Sequence, residues 1–164
     1  FFVILQKGRI YDIAISKPEH TFYSTKIDTS EENFPSTVKM KIGLAPLLAG
    51  ASITLNNLFF KHDSAEILKD SRFELQRVIK LLKANSKMKI EISGHTDQTG
   101  SLQYNDRLSF LRAYNIQQYF VSRGIAINRL IARGYGNRKP IVLKGTKSQK
   151  SQNRRVEIHI VSMK

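Results

Sequence analysis

Apolar and polar residues alternate from Met88 to Ser93, with Met88, Ile90 and Ile92 on one side and Lys89, Glu91 and Ser93 on the other. That period of two predicts a half-buried strand. Val156, Ile158 and Ile160 alternate with Glu157, His159 and Val161 in the same way, and Leu130–Tyr135 forms a shorter extended run ending at Gly134-Tyr135-Gly136. Ser52–Phe60 (SITLNNLFF) is a further strand candidate. Between these lie two helical segments. Ala65–Ala84 carries Leu68, Leu75, Ile79 and Leu82 at helical spacing behind a candidate cap, Ser64. From Ser101 or Asn105 to Arg123 neither Pro nor Gly interrupts. Upstream, Arg9–Ile15 alternates, Lys17-Pro18-Glu19-His20 forms a turn, and Thr21–Ile27 is extended again. The pattern predicts an α+β chain: a β-rich segment over 1–50, then β-α-β-α-β-β over 51–164, a mixed sheet with its helices on one face.

Two charged residues stand out against this pattern. Gly94 and Gly100 bracket His-Thr-Asp-Gln-Thr, so the strand hands Asp97 to a loop at its C-terminal end. At about 100° per residue, the following helix gathers Leu108, Arg112, Ile116 and Tyr119 on one side, with Ala113 and Phe120 at the margin. A guanidinium on an apolar face needs a partner, and a planar carboxylate suits it best. Two partners are open: Asp97 itself, in a structural ion pair, or the carboxylate of a zwitterionic ligand that Asp97 grips by its ammonium.

The blocks GHTDQTG, YNDRLSFLRA, RGI, RLIARGYGNRKPI and NRRVEIHI, in this order between about Leu55 and Val161, resemble the OmpA C-terminal-like family of peptidoglycan-binding domains. The resemblance implies that Asp97 and Arg112 hold diaminopimelate of the peptidoglycan stem peptide, Asp97 on its ammonium and Arg112 on its carboxylate. Thr96, Asn105 and Leu108 fall at neighbouring motif positions, and Arg155, the second arginine of NRR, matches a further contact to the peptide stem. Each has a structural alternative: Asn105 as a cap or turn residue, and Leu108 as core with one exposed edge. Arg154 is expected to be a solvated strand-end charge, and His95 a hydrogen-bonded loop histidine. The family's usual Asp after the strand-end Phe is replaced by Lys61, followed by His62 and Asp63.

The N-terminal segment resembles the last strands of a carboxypeptidase-regulatory-like β-sandwich. Its hairpin would be marginal alone, so either further strands precede it or it packs on the second unit. Modular envelope lipoproteins with this order of domains imply an outer-membrane or envelope assembly, secretion machinery among the candidates, tethered in the periplasm by a part of the protein outside this sequence. The start at Phe1, without Met or a signal-peptide pattern, predicts a fragment or a processed product.

Composition narrows the remaining classes. The net charge of +14, from 27 Lys and Arg against 13 Asp and Glu, makes nucleic acid a candidate partner. Aromatic residues do not interleave with the basic ones and no helix-turn-helix or ribonucleoprotein motif occurs, so no nucleic acid is expected. Seven basic residues and no acid fall between Arg138 and Arg155, expected as an irregular, solvated loop. No Cys is present and the four His lack ligand spacing, so neither metal nor cofactor is expected. No activated nucleophile or acid pair can be assembled. No apolar run is long enough for a transmembrane segment. The reading is a non-enzymatic module that binds peptidoglycan, with a protein-docking module of the same fold as the alternative.

Overall fold

The computed structural model describes residues 2–164, apart from the side chains of Lys147 and Ser148. Phe1 of the N-terminal segment and the Lys147 charge of the basic loop lie outside the described part. In chain order the elements are β1 (Ile10–Ile15), β2 (Tyr23–Asp28), β3 (Ser52–Thr54), α1 (Arg72–Ala84), β4 (Lys89–Gly94), α2 (Leu102–Ser122), β5 (Leu130–Gly134), α3 (Lys147–Ser151) and β6 (Val156–Ser162).

β3 to β6 form one mixed sheet in the order β3-β6-β4-β5. Only β4 and β5 run parallel, joined by α2 as the crossover; β6 is antiparallel to both β3 and β4. The alternation seen in the sequence sets the faces. Met88, Ile90, Ile92, Val156, Ile158 and Ile160 are buried under the helices, against Leu75, Val78 and Leu82 of α1 and Ile116 and Phe120 of α2. Glu91, Glu157 and His159 stay half-buried on the opposite side of the sheet.

α2 lies close on the sheet because two glycines sit beneath it. Gly94 and Gly134 pair in parallel register at the ends of β4 and β5. A Cβ on Gly94 would collide with the Ser109 carbonyl, and one on Gly134 with the Phe110 amide. Neither glycine has a positive φ, so close approach is the reason for glycine here, where the sequence pointed to a turn at Gly94. The loop glycine is Gly100, at φ +90°. The seat rotates α2 relative to the projection. Asn105, Ser109, Ala113, Ile116 and Phe120 are its buried line, while Leu108, Arg112 and Tyr119 are half-buried at the edge.

Three element boundaries differ from expectation. The strand expected over 52–60 ends at Thr54, because Asn56 and Asn57 turn their amides toward the N-terminal hairpin, Nδ2 of each donating to Ser24 O (2.9 Å) and Asp12 Oδ1 (3.0 Å). The helix expected from Ala65 starts at Arg72. Residues 59–68 instead fold back on themselves, with Lys61 N donating to Glu66 O (3.0 Å) and Leu68 N to Phe59 O (3.0 Å). The Ser71 hydroxyl fixes this return, accepting from Phe59 N (2.8 Å) and donating to Phe59 O (2.9 Å), and Leu68 is 41% exposed where the periodicity placed it in the core. Ser64 accepts from Glu66 N (3.0 Å) and does not cap α1. Within the basic loop, Thr146 and Gln149 form a reciprocal capping box that starts the short α3.

β1 and β2 form the expected hairpin, with Ile10 opposite Asp28 and Ile15 opposite Tyr23. It docks on α1 through a buried carboxylate. Glu74, fully buried, accepts from Ser24 Oγ (2.5 Å) and from Arg77 Nη1 (2.9 Å), and Arg77 Nη2 also pairs with Asp12 at 3.2 Å. These contacts pack the hairpin on the second unit, one of the two fates open to it in the sequence.

Candidate functional site

The site is built where β4 and β5 end and β6 begins. His95 N donates to Arg155 O (2.9 Å), Thr96 N to Gly136 O (2.9 Å) and Tyr135 N to Gly94 O (2.9 Å), so the loop after β4 is clamped between the exit of β5 and the entry of β6. Asp97 follows. Its Oδ1 accepts from Thr99 N (2.9 Å), a local Asx turn, and its Oδ2 accepts from Arg154 Nη1 at 2.6 Å. Asn105, buried in α2, donates from Nδ2 to Thr99 O (2.9 Å), tying the far side of the loop to the helix. Ser101, and not Asn105, is the N-cap, its Oγ accepting from Tyr104 N at 3.2 Å. Partial burial pushes the Asp97 carboxyl up, but its bonds to Arg154 and Thr99 outweigh this and leave it below the usual carboxylate range.

Arg112 approaches from α2, half-buried. Its Nε donates to Ser64 O (3.0 Å), and its guanidinium carbon lies 4.9 Å from the centroid of the Phe60 ring. The two terminal nitrogens have no hydrogen-bond partner, and no carboxylate forms an ion pair with Arg112, among the described residues. Burial lowers its pKa most and the Arg154 charge adds to this, while Tyr104, Asp63 and Asp97 favour its charged form. The structural ion pair left open in the sequence is thus made by Asp97 with Arg154, not with Arg112. Arg154, expected as a solvated strand-end charge, is 49% exposed but paired with Asp97, a role that sequence reasoning missed. Its only signal was a position beside Arg155 at the entry to a strand that begins next to the Asp97 loop.

Arg112, Arg154 and Arg155, with Phe59, Phe60 and Ile141, line a cleft of about 570 Å³. Arg155 differs from its neighbour: its side chain is 8% exposed, held by Glu157 Oε1 at 2.7 Å from Nε and by Lys139 O at 3.2 Å from Nη2. Among the described residues its Nη1 is buried without a hydrogen-bond partner, as is Oγ1 of Thr96. Leu108 is half-buried at the edge of α2. Lys61 turns to Glu66 at 3.7 Å on the exposed side.

His95 departs from the hydrogen-bonded loop histidine expected. Its ring is 2% exposed and stacks on Tyr135 (centroids 5.4 Å apart, planes 11° apart), with neither ring nitrogen in a hydrogen bond and Nε2 at 3.7 Å from Glu157 Oε2. Glu157 is held far below the usual carboxylate range by His159, whose Nε2 lies 3.1 Å away, then by His95 and Arg155. Among the described residues no cluster of acids and histidines could hold a metal ion, and no helix is long and apolar enough to cross a membrane.

This geometry, a loop carboxylate and a helix guanidinium flanking a cleft on a β-α-β-α-β-β core, can be set beside known proteins. A family model of the OmpA family matches residues 59–154. The chain belongs to the OmpA family. It is 31% identical over 132 residues to the peptidoglycan-associated lipoprotein of Brucella melitensis, covering 77% of this chain and 79% of that protein. It is 36% identical over 107 residues to the peptidoglycan-binding protein ArfA of Mycobacterium bovis, covering 65% of this chain and 33% of the relative. Among solved structures, the cell wall anchor of the type VI secretion system (T6SS) from Pseudomonas aeruginosa matches with a TM-score of 0.58 at 25% identity, over 68% of this chain and 79% of that one. The chain spans 14%, 60% and 31% of the lengths of the first three curated relatives it matches.

Proposed function

We propose that this OmpA-family domain is a non-catalytic module that binds peptidoglycan in the periplasm through the diaminopimelate of its stem peptide and fastens an envelope assembly, secretion machinery among the candidates, to the cell wall. Residues 51–164 carry the binding and residues 1–50 form the end of a neighbouring β-sandwich. The observation that carries the reading is Arg112: a half-buried guanidinium with its terminal nitrogens unpaired among the described residues, opening on a cleft that it lines together with Arg154, the residue paired with Asp97. An α-amino carboxylate supplies what this arrangement lacks. Its carboxylate takes the two free Arg112 nitrogens as a charge-assisted fork, and its ammonium takes an Asp97 oxygen. Thr96 Oγ1 and Arg155 Nη1 are buried donors without a partner among the described residues, Asn105 holds the loop in place, and Leu108 is proposed as an apolar contact from the edge of α2. The names of the relatives, a peptidoglycan-associated lipoprotein and a cell wall anchor, support the same class of ligand.

The test is co-sedimentation with purified sacculi. Each charge-assisted bond contributes roughly 1.5–3 kcal/mol, so Asp97→Asn and Arg112→Gln should each weaken binding on the order of 10- to 100-fold while circular dichroism shows the fold intact. Free diaminopimelate should compete. Unchanged binding in both variants, or loss with salt but not with diaminopimelate, overturns the reading in favour of non-specific attraction of a basic chain.

A further inference from the structure

The carboxylate assigned to the ligand's ammonium already has a cation on it. Arg154 Nη1 lies 2.6 Å from Asp97 Oδ2, and the Arg154 side chain is 49% exposed while that of Asp97 is 17% exposed. The same Arg154 charge works against the charged form of Arg112. Two guanidinium groups at the mouth of one cleft therefore share a single carboxylate, and only one of them is paired with it. Arg155, next in sequence, is locked by Glu157 and the Lys139 carbonyl and cannot move without breaking both. Among the described residues, Arg154 has no such anchor on its side chain beyond Asp97 itself. Its long stem leads to solvent, so its head can leave Asp97 and remain hydrated.

Resting on the peptidoglycan reading above, we infer that Arg154 is a latch: in the free protein it stands in for the ligand's ammonium on Asp97, and it withdraws to solvent when an α-amino carboxylate enters. The exchange is close to balanced in charge, because one cation replaces another on Asp97, while the incoming carboxylate both pairs with Arg112 and offsets its repulsion from Arg154. The latch also sets selectivity. A simple amine must displace Arg154 yet gains nothing from Arg112, so it is excluded; a zwitterion gains both contacts.

A partly exposed ion pair contributes little, so releasing the latch has a modest and definite effect. In titrations of the chain with meso-diaminopimelate, followed by calorimetry or amide chemical shifts, Arg154→Gln should bind about two- to fivefold more tightly than the unsubstituted protein, and Arg154→Lys should bind like it. In the ligand-free Arg154→Gln variant the Asp97 carboxyl should titrate at higher pH than in the parent, a readout that a purely structural role of Arg154 would leave unmoved. Weaker binding by Arg154→Gln makes Arg154 a direct ligand contact and overturns the latch while leaving the peptidoglycan reading in place. Unchanged affinity with an unchanged Asp97 titration likewise overturns it. If neither the parent nor the variant binds meso-diaminopimelate or sacculi, the peptidoglycan reading falls and the latch with it.

Discussion

Gly134→Ala tests whether the glycine seat under α2 positions the site. An added Cβ would meet Ser109 Oγ at 2.7 Å and Asp106 O at 2.8 Å, besides the Phe110 amide. Ordinary carbon contacts lie near 3.5 Å, so the helix must rise by about 1 Å to clear the Phe110 amide. Two of the three atoms are helix backbone, and the third, Ser109 Oγ, accepts from Gly136 N at 2.9 Å, so no flexible group can yield. Overpacking of this kind costs about 1–3 kcal/mol, offset by roughly 0.4–1 kcal/mol from the stiffer unfolded chain, for a net loss of about 1–2 kcal/mol. In a chain of this size that lowers Tm by roughly 2–8 °C. Because α2 carries Arg112 while Asp97 rides on the loop after β4, the lifted helix also separates the pair, and sacculus binding should fall further than stability does. The assay is urea denaturation followed by circular dichroism, with Gly43→Ala as the control. Nothing lies within 4 Å of a Cβ at Gly43, so that variant should match or slightly exceed the parent. If Gly134→Ala matches Gly43→Ala in both midpoint and sacculus binding, the close-approach argument is wrong.

Two further predictions concern the frame of the site. Glu157 has a folded-state pKa depressed below its unfolded value, so it contributes stability above about pH 4.3 that is lost as pH falls through the folded value; Glu157→Gln should flatten the acid limb of a stability profile below that point, and an unchanged limb would refute the assigned role. Ser71→Ala removes the hydroxyl that serves both Phe59 N and Phe59 O, and should cost about 1–3 kcal/mol in chemical denaturation; a loss under 0.5 kcal/mol would show that the 59–68 return holds without it.

Legibility from the sequence followed the range of the interactions involved. The alternation in β4 and β6 could be seen directly, because burying one sheet face imposes a period of two on contiguous residues. The Asp97 loop and Arg112 were visible as charged exceptions to that pattern. The rotation of α2 was not, because Asn105 and Ser109 are polar residues buried against the glycine seat, whereas Phe110, Leu111 and Tyr114 are apolar residues left exposed on its outer side. A projection weighted by hydrophobicity turns such a helix the wrong way. The short β3 and late α1 were hidden for a different reason. Asn56, Asn57 and Ser71 act through side-chain bonds to partners 12 to 45 residues away, and these override the local propensity of 52–60 and 65–71. Thr146-x-x-Gln149 was a local signal that could have revealed α3.

Arg154 shows why pairwise reasoning about charges is unsafe when the third charge is remote in sequence. Asp97 and Arg112 suggest each other by loop and helix position, yet the 2.6 Å partner of Asp97 comes from 57 residues downstream, across the mouth of the sheet. The result is a site with one satisfied carboxylate and one unsatisfied guanidinium, and net positive charge between them. That imbalance, unlike the overall charge of +14, is local and partly shielded from solvent. Exposed lysines act through a field that salt screens within about 8–10 Å, and they accelerate encounter with any anionic surface. The half-buried Arg112 can act only on a group that enters the cleft, and in the proposed complex its desolvation is relieved by a carboxylate that also brings an ammonium for Asp97. On the proposed peptidoglycan reading, the basic surface would govern approach to the wall, and the Asp97–Arg112–Arg154 triad would govern which chemical group is held there.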